Sequence, residues 1–136
     1  MPDFVFPASP AGRSPPEAPH YPANLDGIDM AEGLANMGND PELFHKMLKK
    51  AAERYPLLQK QLANAMHMGD RGEVVRILHT LRGLAGTIGA MELQQHASAM
   101  EAAWKQTRAP ATVPDNLQHA FHAALQRILN TLTILA

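Results

Sequence analysis

The sequence predicts an all-α protein, an antiparallel up-and-down four-helix bundle with a short extra helix on its N-terminal side. The first observation is compositional: Ala, Leu, Met and Gln are abundant, whereas the 136 residues include only four Phe, two Tyr and one Trp. The second is that apolar residues recur at steps of three and four from residue 25 onward. The third is that the segments between the predicted helices are short and contain residues that cap or stop helices.

The chain divides at about residue 24. Residues 1–24 contain seven of the eleven prolines, and proline at this density prevents both helices and sheet ladders. We expect a disordered linker or tail there, with a proline motif bound by a partner as the alternative. A single helical domain is expected over residues 25–136, and the tail suggests that this domain was joined to something upstream.

A short first helix is predicted to begin after Asp29 and to end at Gly38. Asp is a favoured N-cap because its carboxylate accepts from backbone N–H groups that have no helical partner. Glycine ends helices because it adopts the left-handed conformation without strain. Met30, Leu34 and Met37 fall on one face of this helix.

A long second helix is predicted between Asp40, its cap, and Gly69, its stop. Pro41 suits the first turn, whereas Pro56 predicts a kink within the helix. The apolar stripe continues in phase past Pro56, which indicates one helix rather than two. The stripe is predicted to contain Leu43, Met47, Ala51, Tyr55, Leu58, Leu62 and Ala65.

Three further helices follow. Asp70 is the expected cap of the third, over residues 71–88, and Gly89 ends it or marks a tight turn. The fourth covers residues 90–107, and Thr112 is the expected cap of the last. The stripe of the fourth helix comprises Leu93, Ala97, Met100 and Trp104, and that of the last Leu117, Phe121, Leu125, Ile128, Leu132 and Leu135.

Composition excludes several classes of protein. There is no cysteine, which excludes disulfide scaffolds, thiolate zinc sites and cysteine nucleophiles. The net charge of −1 gives no reason to expect a nucleic acid or an anionic membrane as partner. No apolar run is long enough for a transmembrane helix, and the N-terminus lacks the pattern of a secretory signal. We therefore expect a cytoplasmic protein.

The segment "HTLRGLAGTIG", residues 79–89, carries three glycines inside a helical leucine pattern. Each glycine within a helix costs roughly 1 kcal/mol relative to alanine. A helical wheel at about 100° per residue points His79 away from the core. It places on the same side Gly72, Val75, Arg76, Arg82, Gly83 and Gly86. It places on the core side Val74, Ile77, Leu81, Leu84, Ala85 and Ile88.

The glycines beside His79 favour a functional site over a solvated surface. Glu, Lys, Gln or Ala would keep helix propensity on a solvated face, whereas Gly83 and Gly86 lower it and bare the backbone for close approach. Arg82 offers a guanidinium fork that suits phosphoryl oxygens. From these residues alone, an imidazole nucleophile for phosphoryl transfer and an incidental surface histidine both stay open.

Residues 79–89 resemble the signature of histidine-containing phosphotransfer (HPt) domains, the phosphorelay modules of bacterial hybrid sensor kinases and related pathways. The family pattern is roughly His-Thr-Leu-Lys-Gly, followed by small residues and an Ile or Leu before Gly. The resemblance covers roughly residues 25–105, with the last helix matching in character only. Arg82 stands where the family usually has lysine, which puts the tuning of partner choice or rate in doubt. Leu84 stands where a small residue is more common.

The resemblance implies that His79 is the phosphoacceptor of a phosphorelay intermediate. It would take a phosphoryl group from the aspartyl phosphate of a hybrid kinase's receiver domain and pass it to the aspartate of a response regulator. Receiver domains would be the partners and would supply Mg²⁺, so the domain itself needs no cofactor and no metal. We expect a monomer without an ATP-binding unit. It would be the C-terminal module of a sensor kinase, and a parent kinase of this kind would tether it to the inner membrane.

Antiparallel geometry suggests a partner for the histidine. If the third and fourth helices turn near residue 90, position 79 lies level with about position 101. Glu101 would then orient the imidazole and favour its protonated form, with a solvated glutamate as the alternative. The expected docking face combines Val75, Arg76, Arg82, Gly83 and Gly86 with an apolar rim from Leu34 or Met37.

Two rival functions remain at this point. Glu42 and His45 form a Glu-x-x-His motif. Di-iron helical bundles contain this motif twice, whereas this sequence has no second motif that matches it. His119 and His122 have a spacing that allows adventitious zinc binding. The other rival is a structural or partner-binding bundle without phosphotransfer, which explains the helices but not the glycines.

Overall fold

The computed structural model describes residues 25–106 and 113–134. It contains five helices in this part of the chain: α1 (Met30–Asn36), α2 (Pro41–Met68), α3 (Arg71–Ile88), α4 (Met91–Gln106) and α5 (Asp115–Thr133). The extended structure within the described ranges is a single isolated bridge between Leu25 and Ile28. The all-α prediction is therefore confirmed, while the predictions for residues 1–24 and for Leu135 lie outside the described residues.

Aspartate caps and glycine stops place the first helix boundaries where the sequence predicts them. The Asp29 carboxylate accepts from the N–H of Glu32 at 3.0 Å, and Asp40 and Asp70 cap α2 and α3 in the same way. Gly69 ends α2 with φ of 68°. The helix α2 runs without a break through Pro56, as its continuous stripe predicts.

The start of α5 differs from the prediction. Thr112, its expected cap, lies outside the described residues, and the observed N-cap is Pro114, which makes no side-chain hydrogen bond. Pro114 has φ of −58° and ψ of 138°, an extended conformation that its ring already favours. The helix therefore begins two residues later than a threonine cap would place it.

The core stripe of α2 corrects the prediction at its first two positions. Leu43 is exposed and Met47 is half-buried, whereas Phe44 and Leu48 are fully buried. The buried residues of α2 are Phe44, Leu48, Ala51, Tyr55, Leu58, Leu62 and Ala65. This set alternates steps of four and three, which follows the helical repeat, whereas the predicted steps of four at the start drift off the core face.

The four long helices pack as a ring, α2 on α3, α3 on α4, α4 on α5 and α5 on α2. Two-residue connections join α2 to α3 and α3 to α4, which makes these neighbours antiparallel. The short helix α1 packs on the C-terminal end of α3, where the N–H of Asp29 donates to the carbonyl of Gly89 at 2.7 Å. This arrangement leaves the middle of α3 open on its outer side.

The N-terminal segment before α1 is fastened to the bundle by Arg127 and Thr131 of α5. The Arg127 guanidinium on α5 contacts the carboxylates of Asp26 at 2.6 Å and Glu92 at 2.8 Å. The Thr131 hydroxyl donates to the carbonyl of Asp26 at 2.7 Å. Among the described residues, no helix is both long and apolar enough to cross a membrane.

Candidate functional site

His79 lies midway along α3 on its outer face. Its side chain is 63% exposed, although its chain neighbour Leu78 is fully buried. The wheel predicted the core side correctly for Val74, Ile77, Leu81, Ala85 and Ile88, all of which are buried. It missed Leu78, and Leu84 is only half-buried at the edge of the core. The imidazole is thus exposed on one face of α3, while the opposite face of the helix packs in the core.

Glu101 of α4 lies beside this histidine, at the level that the antiparallel register predicts. The Nδ1 atom of His79 is 3.1 Å from Oε2 of Glu101. The Glu101 side chain is only 3% exposed, so the carboxylate is buried under the exposed imidazole. A buried carboxylate held on a helix fixes the ring orientation better than a mobile surface glutamate would.

Arg82 joins the same cluster from the next turn of α3. Its Nη1 is 3.2 Å from Oε1 of Glu101, without the alignment of a hydrogen bond. Its Nη2 is 3.1 Å from Nδ1 of His79. Arginine has no acceptor and stays protonated, so Nδ1 cannot both accept from Arg82 and donate to Glu101.

The protonation of Glu101 decides between these two arrangements. Burial acts to raise the pKa of Glu101, but hydrogen bonds from Lys105 and His79 and the charges of Arg82 and Lys105 outweigh it, so the pKa is lowered. An ionised carboxylate only accepts hydrogen bonds, which assigns the imidazole proton to Nδ1 of His79. In the neutral ring the lone pair is then on Nε2, the nitrogen farther from the backbone.

Lys105 is a member of the site that sequence reasoning missed. Its Nζ is 3.2 Å from Oε2 of Glu101, the oxygen that also contacts His79. A lysine near a helix end is usually solvated, which is why the pattern did not single it out. The available signal was its spacing, since a glutamate four residues before a lysine is the favoured orientation for a helical ion pair.

Arg71 holds the end of α4 that carries Lys105. Its Nε donates to the carbonyl of Trp104 at 2.7 Å, and its Nη2 donates to the carbonyl of Lys105. The last carbonyls of a helix lack helical partners and carry partial negative charge. A guanidinium from the start of α3 therefore fixes the last turn of α4 relative to His79.

The three glycines that follow His79 differ in the space around them. A Cβ atom at Gly83 would meet nothing within 4 Å, whereas one at Gly86 would lie 2.5 Å from Nε2 of Gln94. The carbonyl of Gly86 also accepts from Asn36 of α1 at 2.9 Å. Gly83 thus leaves the helix flank open, and Gly86 admits side chains from α1 and α4. Gly89, with φ of 84°, ends α3 as predicted.

A shallow groove runs from Gly83 away from His79, between α1, α3 and α4. Of the predicted rim residues, Met37 lines it and Leu34 packs half-buried against the core. Met91 of α4, which the sequence did not single out, adds an apolar side chain 38% exposed. The groove is lined by Met37, Gly83, Gly86, Thr87, Met91 and Gln94 among others.

The remaining predicted docking residues lie on the other side of His79. Val75 is half-buried, and Arg76 is exposed. The Arg76 guanidinium forms a bidentate pair with Glu73, with distances of 2.9 and 2.7 Å. This hydrogen-bonded pair lowers the pKa of Glu73. Arg76 therefore presents a positive charge that is partly compensated.

The described residues do not bring together a metal site. Within residues 25–106 and 113–134, no three His, Asp or Glu side chains are grouped so that they could hold a metal ion. Neither the Glu42–His45 pair nor the His119–His122 pair belongs to a group of three potential metal ligands in these ranges. The cluster around His79 has one carboxylate and two permanent cations, a set that suits an anion rather than a metal.

The described residues thus place an exposed histidine on a helical bundle, in contact with a buried carboxylate and close to two cations. The chain belongs to the Hpt domain family, whose model matches residues 42–131. The protein is a phosphorelay carrier of the two-component type.

One solved structure is similar in fold. It is the HPt domain from the Hpt sensor hybrid histidine kinase from Shewanella, with a TM-score of 0.67 and 17% sequence identity. The match covers 82% of this chain and 92% of that chain. No curated protein matches the sequence significantly.

Proposed function

We propose that His79 is the phosphoacceptor, and that it relays a phosphoryl group between the aspartates of two receiver domains. The observation that carries this proposal is the contact between His79 Nδ1 and the buried Glu101 carboxylate at 3.1 Å. That contact holds the proton on Nδ1 and leaves Nε2 as the free nucleophile on a ring 63% exposed.

The proposed transfer is reversible and conserves charge and atoms. Nε2 of His79 attacks the phosphorus of an aspartyl phosphate, a P–N bond forms, and the P–O bond to the aspartate breaks. The aspartate leaves as a carboxylate, and the ring, now substituted at Nε2 and protonated at Nδ1, is stabilised by Glu101. Attack by the aspartate of a second receiver reverses these steps.

The partners follow from the same chemistry. A receiver domain of a hybrid kinase is the donor, and that of a response regulator is the acceptor. Each receiver supplies its own Mg²⁺ and acidic pocket, whereas this domain supplies a positioned nucleophile and Arg82 to bind phosphoryl oxygens. We propose that the domain needs no cofactor of its own and acts as a monomer.

The docking face is proposed to surround His79 on α3. Val75 and Arg76 lie on one side, and Gly83 and Gly86 with the apolar rim at Met37 lie on the other. Such an interface should be small and transient. The change Arg76→Glu should mainly slow association with a receiver, and an unchanged association rate would remove Arg76 from the interface.

The proposed arrangement of the whole chain is a linker at residues 1–24 and a phosphotransfer domain at 25–136. We propose that it is the C-terminal module of a hybrid sensor kinase that works on the cytoplasmic side of a membrane. Limited proteolysis tests this division, because early cleavage should occur before Leu25 and leave the bundle intact.

Phosphotransfer from a phosphorylated receiver tests the proposed function. The unsubstituted domain should become phosphorylated, whereas the His79→Gln variant should not. His67→Gln, at the exposed end of α2, is the matched control and should behave like the parent. Equal labelling of parent and His79→Gln would favour the alternative, a structural or partner-binding bundle.

A further inference from the structure

Gln94 of α4 reaches across to α3 and lies over Gly86. A Cβ atom at Gly86 would be 2.5 Å from Nε2 of Gln94 and 3.1 Å from the carbon of its carboxamide. Any residue with a Cβ atom at this position would therefore have to displace the Gln94 amide. Gly86 thus admits a side chain of α4 against the flank of α3, about 10 Å along the helix from His79.

The polar side chains that line the groove differ in whether they have partners. Asn36 donates to the carbonyl of Gly86 at 2.9 Å. The hydroxyl of Thr87 donates to the carbonyl of Gly83 at 2.9 Å. The Gln94 carboxamide forms no hydrogen bond with any described residue, although its side chain is half-buried. It therefore offers one acceptor and two donors to a partner that enters the groove.

The polar side chains on the opposite side of His79 are paired within the domain. Arg76 forms two hydrogen bonds with Glu73, at 2.9 and 2.7 Å. The hydroxyl of Thr80 donates to the carbonyl of Arg76 at 3.1 Å. The unpaired carboxamide of Gln94 is thus on the groove side of the histidine.

The groove lies within the surface that a receiver must cover to reach His79. A transient interface buries roughly 500 to 600 Å² on each partner, which corresponds to a disc with a radius of about 13 Å. The groove begins at Gly83, about 6 Å along α3 from His79, and extends to Gly86 and Gln94. A receiver that brings its aspartate to Nε2 of His79 therefore also covers the groove.

We propose that Gln94 is a specificity-determining residue, and that its carboxamide hydrogen-bonds a polar group of the receiver domain that covers the groove. This inference rests on the proposed function, because it takes a receiver as the partner of His79. It adds a polar contact on α4 to a docking face that is otherwise formed by α3 and α1.

Covering the carboxamide has unequal consequences for different receivers. Met37 and Met91 give the groove apolar side chains, so a receiver that packs against them removes water from the Gln94 amide. A receiver with a donor or acceptor at this point replaces the hydrogen bonds that water made, whereas an apolar surface leaves the amide unpaired. Gln94 therefore selects against receivers that lack the matching polar group.

The dependence of phosphotransfer on receiver concentration is the primary test. With the receiver that gives the fastest transfer, Gln94→Met should raise the half-saturating concentration roughly 2- to 12-fold, because docking loses a hydrogen bond. The rate at saturation should not change. Methionine keeps the unbranched shape that packs over Gly86. Gln61→Met, at an exposed position of α2, is the matched control and should leave both quantities unchanged.

A second receiver tests the specificity role. A receiver that transfers slowly to the unsubstituted domain should be affected less by Gln94→Met than the fast receiver, so the ratio of the two transfer efficiencies should fall. Gly86→Ala should act in the same way, because its methyl group displaces the Gln94 amide. In the double variant the effects of the two substitutions should not add.

Chemical phosphorylation separates docking from the reactivity of His79. Phosphoramidate is a small phosphodonor that needs no docking surface. It should phosphorylate His79 at the same rate in the unsubstituted domain and in Gln94→Met. A lower rate in the variant would show that the substitution disturbs His79 itself, and would overturn a role in docking.

The outcomes separate this inference from the proposed function. An unchanged half-saturating concentration, or an equal change for both receivers, would overturn the role of Gln94 even if His79 is phosphorylated. Equal phosphorylation of the unsubstituted domain and of His79→Gln would overturn the proposed function. The half-saturating concentration would then still decide whether Gln94 contacts the receiver.

Discussion

Glu101 and His79 are in contact although one is buried and the other is exposed. Oε2 of the carboxylate lies 3.1 Å from Nδ1 of the ring, while the exposed fractions of the two side chains are 3% and 63%. The carboxylate belongs to the same face of α4 as the buried Met100 and Trp104. The site is therefore built outward from the core, and the imidazole is the part of it that a partner meets.

Replacing Glu101 with alanine should reduce the rate of phosphotransfer to His79 by roughly 10- to 100-fold. A hydrogen bond to a charged group contributes about 1.5 to 3 kcal/mol, and its loss frees both the ring orientation and the position of its proton. Glu101→Gln should be intermediate, because the amide oxygen still accepts from Nδ1 but carries no charge. Stopped-flow or rapid-quench transfer kinetics measure the effect. Glu53→Ala, at an exposed position of α2, is the control. Unchanged kinetics in Glu101→Ala would refute the positioning role of Glu101.

The stability of the domain should depend on pH through Glu101. Its pKa is lowered in the fold from 4.5, so its stabilising contribution is fully present above that value and is lost as the pH falls through the lowered pKa. The difference in unfolding free energy between the parent and Glu101→Gln should therefore shift against the parent as the pH falls below about 4.5. Urea unfolding of both proteins at several pH values measures this difference, and a constant difference would contradict the prediction.

Substitution of Gly83 should separate folding from function. A Cβ atom at this position meets nothing within 4 Å, so Gly83→Ala should stabilise the domain by roughly 0.5 to 1 kcal/mol through helix propensity. The same methyl group should slow transfer if a receiver approaches the bare backbone. Chemical denaturation and transfer kinetics together test this. A variant that is more stable and equally fast would show that no partner approaches the helix there.

Two glycines that end helices should differ in their response to alanine. Gly69 and Gly89 both have positive φ, 68° and 84°, but a Cβ atom at Gly69 meets nothing, whereas one at Gly89 collides with the backbone oxygen of Asp29. Gly69→Ala should cost about 1 kcal/mol for its conformation alone. Gly89→Ala should cost about 3 kcal/mol or more, because α1 must also move. Equal losses in thermal or urea unfolding would show that α1 is not seated on the end of α3.

Local rules were sufficient for the starts of α1, α2 and α3 and for half of the site. Asp29, Asp40 and Asp70 cap helices because their chemistry acts within one turn, and the wheel located His79 and Arg82 for the same reason. Glu101 required one further assumption, an antiparallel partner helix at known register. Each of these steps uses information from a few residues or from one turn of the chain.

The errors have two sources. The predicted stripe began at Leu43 and Met47 and advanced in steps of four, which drift off the helical repeat, whereas Phe44 and Leu48 follow the repeat and are buried in the core. The role of Arg71 depends on the end of α4 lying beside the start of α3. A sequence pattern along one helix contains no information about that contact.

The identity of the nitrogen that carries the phosphoryl group is the decisive test of the proposed role of His79. NMR of the phosphorylated domain, with ¹⁵N-labelled histidine and observation of ³¹P, identifies the bonded ring atom and the residue. We expect phosphorus bonded to Nε2 of His79, with the remaining proton on Nδ1 facing Glu101. Phosphorus bonded to Nδ1 of His79, or to any other residue, would contradict it.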